Sequence, residues 1–339
     1  MPTHKFSPEL AKQTVVAVEV CLQEGFPPSE VGNGAKTSAI HEAARRLNIP
    51  SGTIRSRLRI IGQYHESDPS FPAPPDWSLY REPAPREHPE RVVWDIQSGV
   101  VIVFSDAHYW PGKASTAHRA LVKFCKEIKP FGIVANGDVF DGASVSRHAP
   151  IQWEGRPTVK QEIEIVQERL GEILKAAPKA KRAWSLGNHD ARFESRLATV
   201  APEYANVHGM HLKDHMPEFD PCWSVWINDN VVVKHRHKNG IHSAHNSTMW
   251  AGRTMVCGHL HSMKVTPLTD YNGTRFGVDT GTLADPFGRQ FTDYMEDNPR
   301  NWRSGFAVLT FHCGRLLWPE LVHVLEEGIV EFRGRVYNV

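Results

Sequence analysis

Cysteine is scarce and scattered in this chain. The five that occur in 339 residues, Cys21, Cys125, Cys222, Cys257 and Cys313, are odd in number, far apart and without a Cys-x-x-Cys spacing. That excludes a disulfide framework and fits a reducing compartment. Long apolar runs are missing as well: none approaches the ~18 residues of a spanning helix. Met1 to Phe6 lacks the basic and then apolar blocks of a secretion signal. The expectation is a soluble, unexported, cytoplasmic protein with no membrane partner. Net charge is nearly absent too, with 39 Lys and Arg against 38 Asp and Glu. Any electrostatic case for nucleic acid must therefore be local. What the sequence does have is histidine, 19 in all, ten of them between His189 and His261. Such clustering suits metal or proton chemistry.

At this length one large domain plus a small one is expected, and a composition that is 40% hydrophobic and 23% charged can bury a core without staples. Residues 64 to 90 hold seven prolines and no helical or strand period, which predicts a linker. The domains read as 1–62, a Pro-rich linker 63–91, and 92–339. In the first, apolar residues recur through Leu10, Val15, Val18 and Leu22, a second helix spans Ser38 to Leu47, and a third runs from Thr53 to about Ile61 with Ser51 as its N-cap. Helix, short turn, helix predicts a small all-α helix-turn-helix. After the linker, strands at Gly99–Ser105, Gly132–Ala135 and Arg182–Leu186 alternate with helices. The clearest helix is Thr158–Ala177, with a Thr158/Gln161 capping box and Pro178 as its stop. Beyond Cys222 strands dominate, so a second, antiparallel or mixed sheet is expected to pack on the first.

Five apolar strands end in polar clusters: Asp106-Ala107-His108, Gly137-Asp138-Val139-Phe140-Asp141, Gly187-Asn188-His189-Asp190, His235-Arg236-His237 and Gly258-His259-Leu260-His261. The carboxyl ends of strands in an open α/β sheet share one edge, so these clusters should converge. Asp, Asn and His together suit two adjacent divalent metals, since Asp can bridge two ions. The five blocks, in this order, resemble those of the calcineurin-like metallophosphoesterase family, closely over about 99 to 265.

The resemblance implies an α/β/β/α sandwich and a dinuclear centre. Asp106, His108 and His261 would hold one metal, Asn188, His235 and His259 the other, and Asp138 would bridge them. Manganese is the first choice, with zinc, iron, nickel or magnesium also fitting the ligands. His189 would be the catalytic acid, held by Asp141, and His237 competes with His235 as ligand. Gly142 stands where relatives that dephosphorylate proteins carry Arg, which disfavours a protein phosphatase. Arg147, His148 and Arg192 follow blocks two and three and could contact a phosphate, as ordinary surface charge also could.

Between Lys36 and Arg59 six basic residues face one acid, Glu42. The segment resembles a DNA-binding helix-turn-helix, with Thr53, Arg55, Ser56, Arg57 and Arg59 in reach of DNA. A protein-binding or merely packing role is the rival. Together these readings predict a phosphodiesterase or nuclease acting on nucleic acid. The alternatives are a phosphomonoesterase or nucleotide hydrolase whose N-terminal domain assembles the protein, and a DNA-binding regulator with an inactive metal site. The combination of modules looks phage-like.

Overall fold

The computed structural model describes residues 6–27, 37–65, 67–77, 88–148, 155–205, 207–295, 297–298 and 300–339. They fall into two packed units, Met1–Arg86 and Glu87–Val339. The first holds α1 (Pro8–Gln23), α2 (Ala39–Arg46) and α3 (Ser51–Tyr64). Ser7 and Ser38 cap the first two helices through their hydroxyls. The expected Ser51 cap is not one: Ser51 lies inside α3, and Pro50, at φ −60°, is the N-cap and offers no side-chain acceptor. Val18, Cys21, Leu22, Ala39, Ala43, Ala44 and Ile54 form the core of the unit. A second cluster joins Ala11, Val15 and Ile61 to Phe71. The front of the Pro-rich stretch is thus not a free linker, because Phe71 stacks on Tyr64 at 5.3 Å and is buried. Burying a Phe is worth about 2 kcal/mol. Residues 78–87, the rest of that stretch, lie outside the described residues.

In the second unit the chain runs β1 (Arg91–Trp94), β2 (Gly99–Phe104), α4 (Thr116–Ile128), β3 (Gly132–Ala135), α5 (Val159–Ala176), β4 (Lys181–Ser185), α6 (Asp190–Val200), α7 (Leu212–His215) and β5 (Asp220–Cys222). It continues through β6 (Ser224–Ile227), β7 (Val231–Val233), α8 (Ser243–Ala251), β8 (Thr254–Cys257), β9 (Lys264–Asp270), β10 (Gly273–Asp279) and α9 (Thr292–Met295). Five more strands follow, β11 (Gly305–His312), β12 (Arg315–Leu316), β13 (Glu320–Glu326), β14 (Ile329–Phe332) and β15 (Arg335–Asn338).

One sheet has the order β15-β14-β13-β11-β2-β3-β4-β5, with β12 on β11, and the other β1-β6-β7-β8-β10-β9. The late strands do not all build the second sheet as expected: β11 pairs antiparallel with β2 and carries β13 to β15 into the first. The stretch Arg315–Val322 is also two strands, since Pro319 has no N–H for a continuous ladder.

The alternation along β2 explains the layers. Ile102 and Phe104 face α4 and α5, packing with Leu121, Phe124, Val166 and Leu170, while Val101 and Val103 meet Val225, Val231, Val233 and Val278 of the other sheet. Val232 and Met255, on that sheet's far side, pack with Ala251 of α8. The result is the four-layer α/β/β/α sandwich, an α/β fold whose strands end together where the polar blocks begin.

Helix α5 reaches this edge through Glu162. Its side chain is buried and accepts from the Ala143 amide at 3.0 Å, steadying the loop that carries Asp141. The other carboxylate oxygen of Glu162 has no partner. Burial, helped by the Asp141 charge, pushes Glu162 up to about 7. The folded state thus keeps a proton that the unfolded chain releases near the ordinary Glu value, and stability falls as pH rises from about 4.5 through 7, by on the order of 3 kcal/mol. In Glu162→Gln this loss should vanish, so thermal melts between pH 5 and 8 should be flatter than for the unaltered protein. Parallel curves would show that Glu162 does not carry the effect.

Candidate metal centre

All five polar blocks meet. Asp106, His108 and His261 bring potential ligand atoms within 4.8 Å of one another, and so do Asp138, His235 and His259. Strands β2, β3 and β4 deliver the first three blocks, and β7 and β8 of the other sheet the last two. His235 is buried while His237 is exposed, so His235 is the strand-end His that joins the cluster.

The polar atoms left over describe what the cluster is built to hold. His108 gives Nδ1 to Asp141 Oδ1 at 2.8 Å, and His235 gives Nδ1 to the Asn136 carbonyl at 2.8 Å. Each ring is thereby fixed with Nε2 facing the cluster, and both Nε2 atoms are buried without a hydrogen bond, as are Asn188 Oδ1 and His261 Nδ1. His235 Nε2 is only 3.1 Å from Asp138 Oδ2, but the contact is too poorly aligned to count as a hydrogen bond. Unpaired buried polar atoms are costly, ~1–3 kcal/mol each, and divalent cations satisfy them. Burial keeps His108 and His259 below the ordinary His value, the neutral form that ligates. For Asp106 and Asp138 burial pushes upward, but the imidazoles of His261 and His235 outweigh it and keep both carboxyls ionised. The residues present fit divalent metal.

The backbone is bent to make this fit. Asp106, His108, Asp138, His259 and His261 all have positive φ, from 38° to 72°, a region non-glycine residues avoid at a cost of ~1 kcal/mol or more each. Glycines at the heads of three blocks allow the close approach. A Cβ on Gly137 would collide with the His235 ring, one on Gly187 with Asp138, and one on Gly258 with Asp106 and Ser105.

His189 lies in the same cluster, beside His108 and Asp138, but both of its ring nitrogens have partners. Nδ1 is 3.1 Å from Asp141 Oδ1 and 2.9 Å from its carbonyl, and Nε2 is 2.9 Å from Arg192 Nη2. Arg192 also donates to the Asp141 carbonyl at 3.0 Å. Burial disfavours the His189 cation, but the Asp141 hydrogen bond and the Asp138 charge outweigh it and raise its pKa. An arginine can only donate, so His189 Nε2 is an acceptor in this arrangement, and it gains a proton only when Arg192 turns away.

One functional residue went unassigned in the sequence. Asp190, fully buried, accepts from the backbone amides of Asp138, Val139, Phe140 and Gly187 and from Trp184 Nε1, all at 2.8–3.0 Å. It ties block two to block three, and the His189 amide returns the tie by donating to Asp138 Oδ1 at 2.8 Å. Burial and the Asp138 charge push Asp190 up to about 6 against those donors, and the carboxylate is the form that five donors require. In the sequence it is the last letter of the Gly-Asn-His-Asp block, a position to which no role was given.

Other candidates are not brought in. Arg147 and His148 are exposed on the loop after Asp141, and their side chains make no hydrogen bond or ion pair with the described residues of the cluster. Cys257, His242 and His245 join none of the potential ligand groups among the described residues. In the helical unit Arg45 and Arg46 are paired with Glu42, and Arg46 also with Glu24. The expected local excess of charge is therefore smaller, because Glu24 lies outside the stretch counted. Lys36 lies outside the described residues. Arg57 turns back to Thr14 Oγ1 at 3.4 Å, while Arg55, Ser56 and Arg59 are exposed and Thr53 is half-buried. No described helix is long and apolar enough to cross a membrane.

The chain is similar to several known proteins. The Gene 54 protein of Mycobacterium phage L5 is 27% identical over 259 residues, which covers 70% of this chain and 98% of that protein. Among solved structures, zinc-complexed Vps29 from Entamoeba histolytica aligns at 11% identity with a TM-score of 0.37, covering 71% of this chain and 98% of its own. A protein serine/threonine phosphatase from Saccharomyces cerevisiae aligns at 12% with a TM-score of 0.35, covering 71% of this chain and 86% of its own. Residues 99–263 match the family model for calcineurin-like phosphoesterase, and this span holds all five blocks.

Proposed function

We propose that this protein hydrolyses phosphoester bonds with two divalent cations, and that its substrate is nucleic acid, cut by a phosphodiesterase or nuclease action. The observation that carries the reading is the pair of potential ligand groups, Asp106 with His108 and His261, all buried, and buried Asp138 and His235 with half-buried His259, next to the His189–Arg192 pair. Asn188, with its unpaired Oδ1, would complete the second group, and Asp138 would be shared between the two. Bound there, divalent cations neutralise phosphoryl charge and activate water. The protein's own groups do the rest. Arg192 and His189 Nε2 converge on one point, so a phosphoryl oxygen arriving there takes the guanidinium's hydrogen bond and releases Nε2. Asp141 holds the His189 ring and favours its protonated form, leaving Nε2–H to protonate the departing oxygen. Arg192 thereby supplies the cation that position 142 lacks. In the helical unit, Arg55 and Arg59 are exposed on α3, have no ion pair among the described residues and suit a duplex phosphate backbone.

Three measurements test this. Protein reconstituted with manganese or zinc should carry two ions per chain, with occupancy falling as pH drops and the His ligands protonate, His235 first because the Asp138 and Asp106 charges raise its pKa. His259→Ala and Gly258→Ala should lose metal and activity together, the second because its methyl displaces Asp106. No more than trace metal in the reconstituted protein overturns the centre.

His189→Ala should keep both ions yet slow turnover by about 10² to 10⁴, with a smaller loss on nitrophenyl esters, whose leaving group needs little protonation. If it lost metal as His259→Ala does, the acid assignment would be wrong.

For the helical unit, Arg55→Ala and Arg59→Ala in the full chain should weaken duplex DNA binding and each lower the salt slope by roughly one. Unchanged affinity and slope would leave the unit to a protein partner or to packing.

A further inference from the structure

Residues 285–303 join β10 to β11 beyond the span matched to the family. None of the chemistry above uses them. The segment is anchored beside the centre: the Arg303 amide donates to the His261 carbonyl at 2.8 Å, and the Thr282 amide to the Arg303 carbonyl at 3.0 Å. It brings aromatic rings to the ligands. Phe291, buried, sits edge-on to the His108 ring at 5.1 Å and 5.6 Å from the His261 ring. Trp302 meets His261 at 4.4 Å and Phe291 at 5.0 Å. Farther out, the Arg300 guanidinium lies 5.7 Å from the Trp302 ring and 5.4 Å from that of Phe287, and donates to the Pro286 carbonyl. Phe287 is 80% exposed. A ladder of ring, cation and ring thus runs from a ligand His to solvent.

A cavity of about 400 Å³ opens beside this ladder, lined by Phe287, Trp302, His323, Asp285 and Glu326 among others. Three carboxylates of its lining, Asp285, Glu326 and Glu327, outnumber its one guanidinium, Arg303, and disfavour a phosphate, Glu327 being held well ionised by Lys113 and Thr116. A flat uncharged heterocycle meets no such penalty and finds π-faces on which to stack. On the other side of the segment, a cavity of about 230 Å³ reaches His108 and has Arg289 at its rim. Arg289 is exposed and has no ion pair among the described residues, so its charge is available to a nucleotide backbone.

We propose that Trp302, Arg300 and Phe287 form a subsite for an unpaired nucleobase next to the scissile phosphate. The proposal rests on the nucleic-acid reading above and sharpens it, because a base inside a duplex already has both faces stacked and cannot enter. The preferred substrate is then a single strand or a frayed end.

The test uses the full-length, metal-loaded protein, with adenosine 5′-monophosphate and methyl phosphate as competing inhibitors of an aryl phosphodiester. The mononucleotide should bind at least tenfold more tightly than methyl phosphate. Phe287→Ala and Trp302→Ala should each weaken the mononucleotide about tenfold or more, the size of one base-stacking contact, and methyl phosphate far less. Trp302→Phe should restore most of the loss, which separates stacking from damage to His261. Tyr271→Ala, an exposed aromatic on the β9–β10 turn, should change neither inhibitor. A single-stranded oligonucleotide should show the Phe287→Ala loss, and the same sequence as a blunt duplex should not.

Equal binding of the two inhibitors, or equal losses for both in the variants, overturns the subsite while aryl ester hydrolysis upholds the phosphoesterase. If no metal supports hydrolysis, the enzymatic reading fails instead, and calorimetry of the mononucleotide against methyl phosphate still decides the subsite by the same tenfold criterion.

Discussion

Two buried carboxylates are the constraint on which the rest of the second unit depends. Asp106 and Asp138 are both essentially inaccessible to water, and an isolated carboxylate in such surroundings costs several kcal/mol. Only positive charge keeps them there. Protonated His235, which Asp138 and Asp106 raise to about 10 against its burial, is a partial answer. Divalent cations are a fuller one, since they also satisfy the imidazole nitrogens and the Asn188 oxygen that the protein leaves unpaired. The strained φ values at five of these residues point the same way: the chain accepts a local cost to aim its ligands inward.

What keeps that cost from unfolding the edge is the pairing of loops. Asp190 gathers four amides and an indole, and the His189 amide answers from the other side onto Asp138. Blocks two and three therefore move as one piece. The His259 amide does the same for block five, donating to both oxygens of Asp106 at 2.8 and 3.0 Å. Because these ties are backbone to side chain, they survive changes in sequence elsewhere on the loops but not a methyl at Gly187 or Gly258.

The sequence made the parallel half of the fold legible, since each of β2, β3 and β4 is a short apolar run that stops at a polar block. Its capping box placed the start of α5 correctly as well. The fate of the late strands was not legible. β11 reads as a strand of either sheet, and only its pairing with β2 decides, a contact about 200 residues distant in the chain. His235 over His237 was open for a similar reason: both follow β7, and only burial separates them. The charge near α2 was overcounted because Glu24, which neutralises Arg46, comes from the preceding helix. In each case a partner remote in sequence supplied the answer.

The segment 285–303 carries no block and no regular period, and that explains why it stayed silent in the sequence. Its residues gain meaning only from position. An exposed Phe and two arginines would be unremarked on any loop, but here Arg303 is fastened to the carbonyl of a ligand, His261, and Trp302 stands against that ligand's ring. Trp302 touches the His261 ring directly, whereas Phe287 lies two contacts farther out. The centre and the surface beside it are therefore separable in chemistry though continuous in structure. A fixed set of ligands can serve different phosphoesters when only an outer loop changes, and under the subsite proposed above the loop after β10 is the part of this protein that would tell substrates apart.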